Sequence, residues 1–165
     1  MEIKLNPIGI VHTTLSDDMI KNAFKGVDGI IEIFPEYAEG LIGIDGFSHI
    51  ILIAYLHKVT SEDRSVLKIR HRRFQKLGIP INDLPEVGVF CSDSPHRPNP
   101  IALTIVQLIK REDRFLYVKN LDLFNGTPVL DIKPYSSDRI VREIKLPPWY
   151  VKLHECVKKI LGESV

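Results

Sequence analysis

Residues 87–108, VGVFCSDSPHRPNPIALTIVQL, constrain this chain more than any other part of it. Pro95, Pro98 and Pro100 stand between two apolar, β-branched runs, and Arg97 and Asn99 are interleaved with them. Each proline fixes its own φ and turns the residue before it away from helical geometry. Ser94, Arg97 and Asn99 are therefore held extended, with little freedom left to lose on binding. A guanidinium beside an amide on so stiff a loop is a polar clamp. A loop that only joined two strands would need no such restraint.

The flanking sequence reads as short strands. Residues 4–13, 29–34 and 48–59 are β-branched runs bounded by Gly, Pro or Asp. Residues 87–92 and 101–110 form a further pair around the proline loop. The polar turn 111–114 leads into 115–121, which makes the last two a hairpin, and 129–135 closes the series. Many short strands with little helix predict a mainly β, single-domain barrel of mostly antiparallel strands, spanning about residues 3–136. One helix is expected, over about 147–162. Pro147 and Pro148 start it, Trp149, Leu153, Cys156, Val157, Ile160 and Leu161 form its apolar stripe, and Gly162 stops it. Residues 61–77 read equally as helix or as a basic strand.

Alternation sorts the side chains. Ile50, Leu52, Ala54 and Leu56 share one strand face, which is core. Phe47, His49, Ile51, Ile53, Tyr55 and His57 share the other, suited to a dimer seam or a ligand cleft. Asp131, Lys133 and Tyr135 line up with Val129 on one face, opposite Leu130, Ile132 and Pro134. Their simplest reading is an ion pair plus a hydroxyl. A functional one has Asp131 gripping Arg97 as a charge-assisted fork, with the remaining donors of Arg97 facing a carboxylate or phosphate. Asn125-Gly126 is a turn signal.

Residues 88–101, 34–57 and 121–135 together resemble the TsaA-like (TrmO-type) family of S-adenosylmethionine-dependent tRNA methyltransferases. The resemblance is most specific at RPNPI and GTPVLDIKPY. It implies a β-barrel homodimer that binds S-adenosylmethionine and methylates the exocyclic nitrogen of threonylcarbamoyladenosine beside the tRNA anticodon. The cofactor would be held by His57, Lys58, Ser92, Asp93, Arg97, Asn99, Leu103, Asp122, Leu123, Phe124 and Asn125. Leu123 and Phe124 would cover the adenine. Asp131, Tyr135 and His57 are the candidate proton acceptors. Arg70, Arg72, Arg73 and Lys133 would contact tRNA. The chain departs from the family pattern where Ser92-Asp93 replaces Thr-Arg and Asn125 replaces Asp, and residues 16–25 lack a Pro-Arg-Gln segment. A second reading is therefore a non-catalytic adenosyl-ligand sensor that has lost its acceptor site. A third is a purely structural barrel.

Composition restricts the partners. Net charge is only +1, so tRNA must be bound by a local patch. Residues 68–76, with Lys68, Arg70, His71, Arg72, Arg73 and Lys76, supply the basic cluster. Two cysteines, Cys91 and Cys156, make neither a disulfide framework nor a zinc site. The apolar run 50–56 is too short to span a bilayer, and no signal-peptide pattern is seen, which points to the cytoplasm. No Ser-His-Asp or metal-ligand constellation is evident, which disfavours a hydrolase. A methyltransferase needs neither, because its methyl donor arrives activated and the protein's task is alignment.

Overall fold

The computed structural model describes residues 2–162, and the chain divides into two compact units. The first, Met1–Val59 with Pro100–Ile140, is a closed barrel. Its strands are β1 (Gly9–His12), β2 (Val27–Ile33), β3 (His49–Tyr55), β6 (Ile101–Glu112), β7 (Phe115–Leu121) and β8 (Pro128–Pro134). Around the barrel they run β1-β2-β7-β6-β3-β8, every pairing antiparallel. In the second unit, Thr60–Asn99 with Val141–Val165, β4 (Lys68–Arg70) and β5 (Glu86–Gly88) pair as a separate two-stranded sheet.

The β3 pattern holds as expected. Ile50, Leu52 and Ala54 are completely buried in the barrel with Val11, Ile31, Val106, Leu116 and Val129. Burying each large side chain of this set contributes about 1.5–3 kcal/mol. The other β3 face, with His49, Ile53 and Tyr55, is half-buried. On β8 the simple alternation fails. A bulge opposite Ile53/Ala54 sets both Val129 and Ile132 towards the core, while Asp131 and Lys133 stay together outside. One extra residue on β8 accounts for the phase change.

The strand reading of 87–92 is corrected. Only Glu86–Gly88 is extended; Val89–Cys91 is a single 3-10 turn. Its partner is β4, whereas β6 pairs with β3 and β7. The proline segment is thus a passage from one unit to the other, not a hairpin loop. The 111–114 turn does join a hairpin, β6–β7. A helix not anticipated from sequence, α1 (Asp17–Asn22), opens on Ser16, whose hydroxyl accepts the Met19 N–H. Residues 61–77 resolve into two 3-10 turns around β4.

The C-terminal helix α2 (Pro148–Leu161) forms where expected and ends on Gly162 at φ 74°. Its buried line is narrower than the full stripe: Leu153 and Val157 are buried, whereas Cys156 and Ile160 are exposed. It packs on the 3-10 turn Arg72–Leu77. Trp149 stacks on His71, and His154 lies edge-on to Phe74 and face-on to Tyr150. Among the described residues no helix is long and apolar enough to cross a membrane.

Gly26 separates two kinds of glycine in the barrel. At φ 72°, a Cβ there would stand 2.4 Å from the Asn120 carbonyl carbon and 2.8 Å from its Cα. Backbone cannot swing aside as a side chain can. Gly126 has φ 79° but open space around it. Gly26→Ala should therefore destabilise the protein well beyond the ~1–2 kcal/mol of a left-handed alanine, and Gly126→Ala by about that amount alone. Denaturant midpoints of the two variants at equal m-value measure the difference.

Candidate functional site

The proline segment belongs to the second unit, and its stiffness is visible in its hydrogen bonds. Ser92 Oγ donates to the Val89 carbonyl at 2.9 Å and accepts the Ser94 N–H at 3.3 Å. Ser94 Oγ in turn accepts the His96 N–H. Arg97 folds back over this turn. Its Nη1 donates to the carbonyls of Ser92 at 3.0 Å and Ser94 at 3.4 Å. Nε and Nη2 have no partner among the described residues, and the side chain is half-buried. One edge of the guanidinium is fixed by backbone and the other is left to donate. That arrangement selects a planar anion such as a carboxylate.

The fork expected between Arg97 and Asp131 is not how either charge is satisfied. Asp131 pairs with Lys133 at 2.6 Å and accepts the Ile132 N–H at 2.9 Å. The simpler reading of that strand, an ion pair, is correct for both residues. Lys133 is thereby engaged on the barrel, and Asp131 also borders an apolar cavity of about 490 Å³ with Ile8, Tyr37, Leu41 and Phe47. Tyr135 packs edge-on against His49.

In the barrel unit a second cluster gathers around Phe124. Lys58 Nζ lies 5.1 Å and Lys21 Nζ 5.5 Å from the centre of its half-exposed ring. Lys58 is held by Asp17 at 2.6 Å. Asn125 Oδ1 accepts the Thr13 N–H at 3.0 Å, which ties the Asn-Gly bend to the end of β1. Gly126 N–H adds a bond to the Val11 carbonyl. Leu123 is corrected: only 2% exposed, it is a core side chain and has no face to offer an adenine. Leu103, by contrast, is 63% exposed on the outside of β6. Asp17 and Lys21 went unrecognised in the sequence because α1 did. The signal was present as Ser16 followed by two acids and then a lysine, a helix-start pattern.

His57 adjoins this cluster. Burial of part of its ring, with help from the Lys58 charge, pushes its pKa below the usual histidine value, and Asp17 opposes the shift. The imidazole is neutral at pH 7 and able to accept a proton. In the second unit His71 is likewise shifted down, first by burial and then by His154, and Asp93 acts on it in the opposite sense. Asp93 and Asn99 are exposed; Arg70 donates to the Leu84 carbonyl at 2.8 Å. Arg72 and Arg73 are exposed on the 3-10 turn after β4. No group of three or more His, Cys, Asp or Glu among the described residues is disposed to hold a metal ion.

The electrostatic account of His57 has a direct test. In an NMR titration its pKa should lie below 6.5. Lys58→Met should move it up and Asp17→Asn move it further down; no response to either substitution would leave burial as its only cause.

Comparison with known proteins agrees with this architecture. Residues 20–139 match the family model of the tRNA-methyltransferase O N-terminal domain. A probable S-adenosyl-L-methionine-binding protein of Pyrococcus abyssi is 36% identical over 150 residues, covering 88% of this chain and 75% of that protein. The tRNA (adenine(37)-N6)-methyltransferase of Rattus norvegicus is 37% identical over 107 residues, which are 64% of this chain but only 22% of that enzyme. Among solved structures, TrmO from Pseudomonas aeruginosa superposes with a TM-score of 0.59 at 26% identity, over 87% of this chain and 62% of that one. With the family model covering most of its length, the chain belongs to the tRNA-methyltransferase O N-terminal domain family.

Proposed function

We propose that this protein binds S-adenosylmethionine and methylates N6 of adenosine 37 in tRNA, with the threonylcarbamoyl form of that base as its acceptor. The observation that carries the reading is Arg97, half-fixed by its own loop, within the stretch matched by the family. When bound, S-adenosylmethionine supplies an activated methyl group. Each unit carries chemistry that such a ligand uses: in the second, the open edge of Arg97 suits a carboxylate, and in the barrel, the half-exposed ring of Phe124 suits an adenine. Both roles are proposed from side-chain chemistry. The Asn125-Gly126 bend, held by bonds to Thr13 and Val11, supports a backbone contact to adenosine.

Three candidate proton acceptors now differ. Asp131 is committed to Lys133 and the Ile132 amide, and Tyr135 is packed on His49. His57 alone combines exposure with a lowered pKa. It is therefore the base proposed here. Its protonation as pH falls removes the acceptor, so kcat/KM, which reports the free enzyme, should drop on the acid side with an apparent pKa below 6.5.

The exposed face of β6 supports a second finer reading, a homodimer. Ile101, Leu103, Ile105 and Ile109 form an apolar row, each at least 39% exposed, on an antiparallel sheet whose outer face would ordinarily be polar. Leu103→Asp should halve the mass seen by light scattering if a second copy covers this row.

Isothermal calorimetry and labelled methyl transfer to unfractionated tRNA test the enzyme reading. Arg97→Ala should weaken S-adenosylmethionine binding about 10- to 100-fold, the equivalent of ~1.5–3 kcal/mol for hydrogen bonds to a charge, while unfolding as the wild type does. His57→Asn should lower kcat about 10²- to 10⁴-fold and abolish the acid limb. Tight cofactor binding without label on any tRNA would favour the sensor reading instead.

A further inference from the structure

Phe90 is 75% exposed, although the residue before it, Val89, is 1% exposed. The turn between them is tightly held. Val89 N–H donates to the Leu67 carbonyl at 3.0 Å, Ser92 N–H donates to the Val89 carbonyl at 3.2 Å, and Ser92 Oγ reaches that same carbonyl. The backbone is thus anchored on both sides of a phenyl ring that stands in solvent. Leu67, bonded to this turn through its carbonyl, is itself 60% exposed. Lys68 pairs in register with Gly88, two residues before Phe90, so one end of the small sheet gathers Phe90, Leu67 and Lys68.

Charge decides what such a ring would meet. The second unit carries twelve Lys and Arg against eight Asp and Glu, whereas the barrel unit carries ten against thirteen. From Arg64 to Asn82 there are six basic residues and no carboxylate. The side chain of Lys68 is exposed and has no ionic or hydrogen-bond partner among the described residues. An exposed ring at the Lys68 end of the sheet, in a unit with an excess of cations, disfavours a basic partner. Unpaired nucleotides satisfy both features, since every base has a π-face and every phosphate a charge.

We propose that Phe90 is a stacking platform for an unpaired base of single-stranded RNA, with Lys68 contacting an adjoining phosphate. The inference rests on the tRNA reading above and deepens it by naming a residue that holds an unpaired base of that substrate. Phe90 is a positioning residue for the substrate and takes no part in the chemistry.

The test uses the full chain and a short RNA hairpin carrying 2-aminopurine in its loop, with a fully paired duplex of the same composition as control. Wild type should bind the hairpin and quench the fluorophore. Phe90→Ala should weaken hairpin binding roughly 5- to 150-fold and lose the quenching. Its affinity for the duplex and for S-adenosylmethionine should stay within about twofold, a range set by removing one stacking contact only. Phe90→Tyr should restore both signals and Phe90→Leu should not. Unchanged hairpin binding by Phe90→Ala, equal loss of cofactor binding, full rescue by leucine, or a changed oligomeric state with RNA binding intact would each overturn the proposal. Phe90-dependent stacking in a protein that methylates no tRNA would refute the enzyme reading and leave this one standing.

Discussion

The functional account depends on one restraint: two backbone carbonyls, of Ser92 and Ser94, hold the Nη1 edge of Arg97. A free arginine loses side-chain entropy worth about 2 kcal/mol when it is ordered around a ligand. Here much of that cost is met by folding, because three prolines and the Ser92 and Ser94 hydroxyl bonds have already shaped the loop. What remains is a preorganised pair of donors with a fixed direction. Such a group discriminates by shape as well as by sign, which a mobile lysine in the same place would not do.

The barrel performs a different task. Its closed sheet leaves no edge strand, and its interior is filled by side chains from all six strands. On that rigid frame α1 and the Asn-Gly bend are tied down by Asp17–Lys58 and Asn125–Thr13. Phe124 is thereby kept half-exposed under two ammonium groups, and His57 is kept neutral by its surroundings. Charges that look scattered along the chain thus act on one ring and one imidazole.

Much of this was legible in residue order, and the failures have local causes. Strand β3 announced itself because apolar residues fill every second position, and Ile50, Leu52 and Ala54 are indeed its buried face. Strand β8 misled because a bulge is silent in the pattern: Val129 and Ile132 both face the core across it. Residues 87–92 carry strand-like composition, but Glu86–Gly88 finds its partner in β4, a pairing no local signal specifies. Leu123 followed the family's cofactor segment by position, whereas hydrophobicity placed its side chain in the core. Helix α1, only six residues long, is too short for its periodicity to stand out.

The most direct test of the Arg97 restraint is its own Nε–H resonance, followed by NMR in the intact protein. With S-adenosylmethionine, and equally with S-adenosylhomocysteine, that signal should move on saturation, since both ligands carry the amino-acid carboxylate. With 5′-methylthioadenosine, which lacks it, the signal should stay where it is. A shift of the same size with all three ligands, or none with any, would contradict the assignment of this guanidinium to a carboxylate.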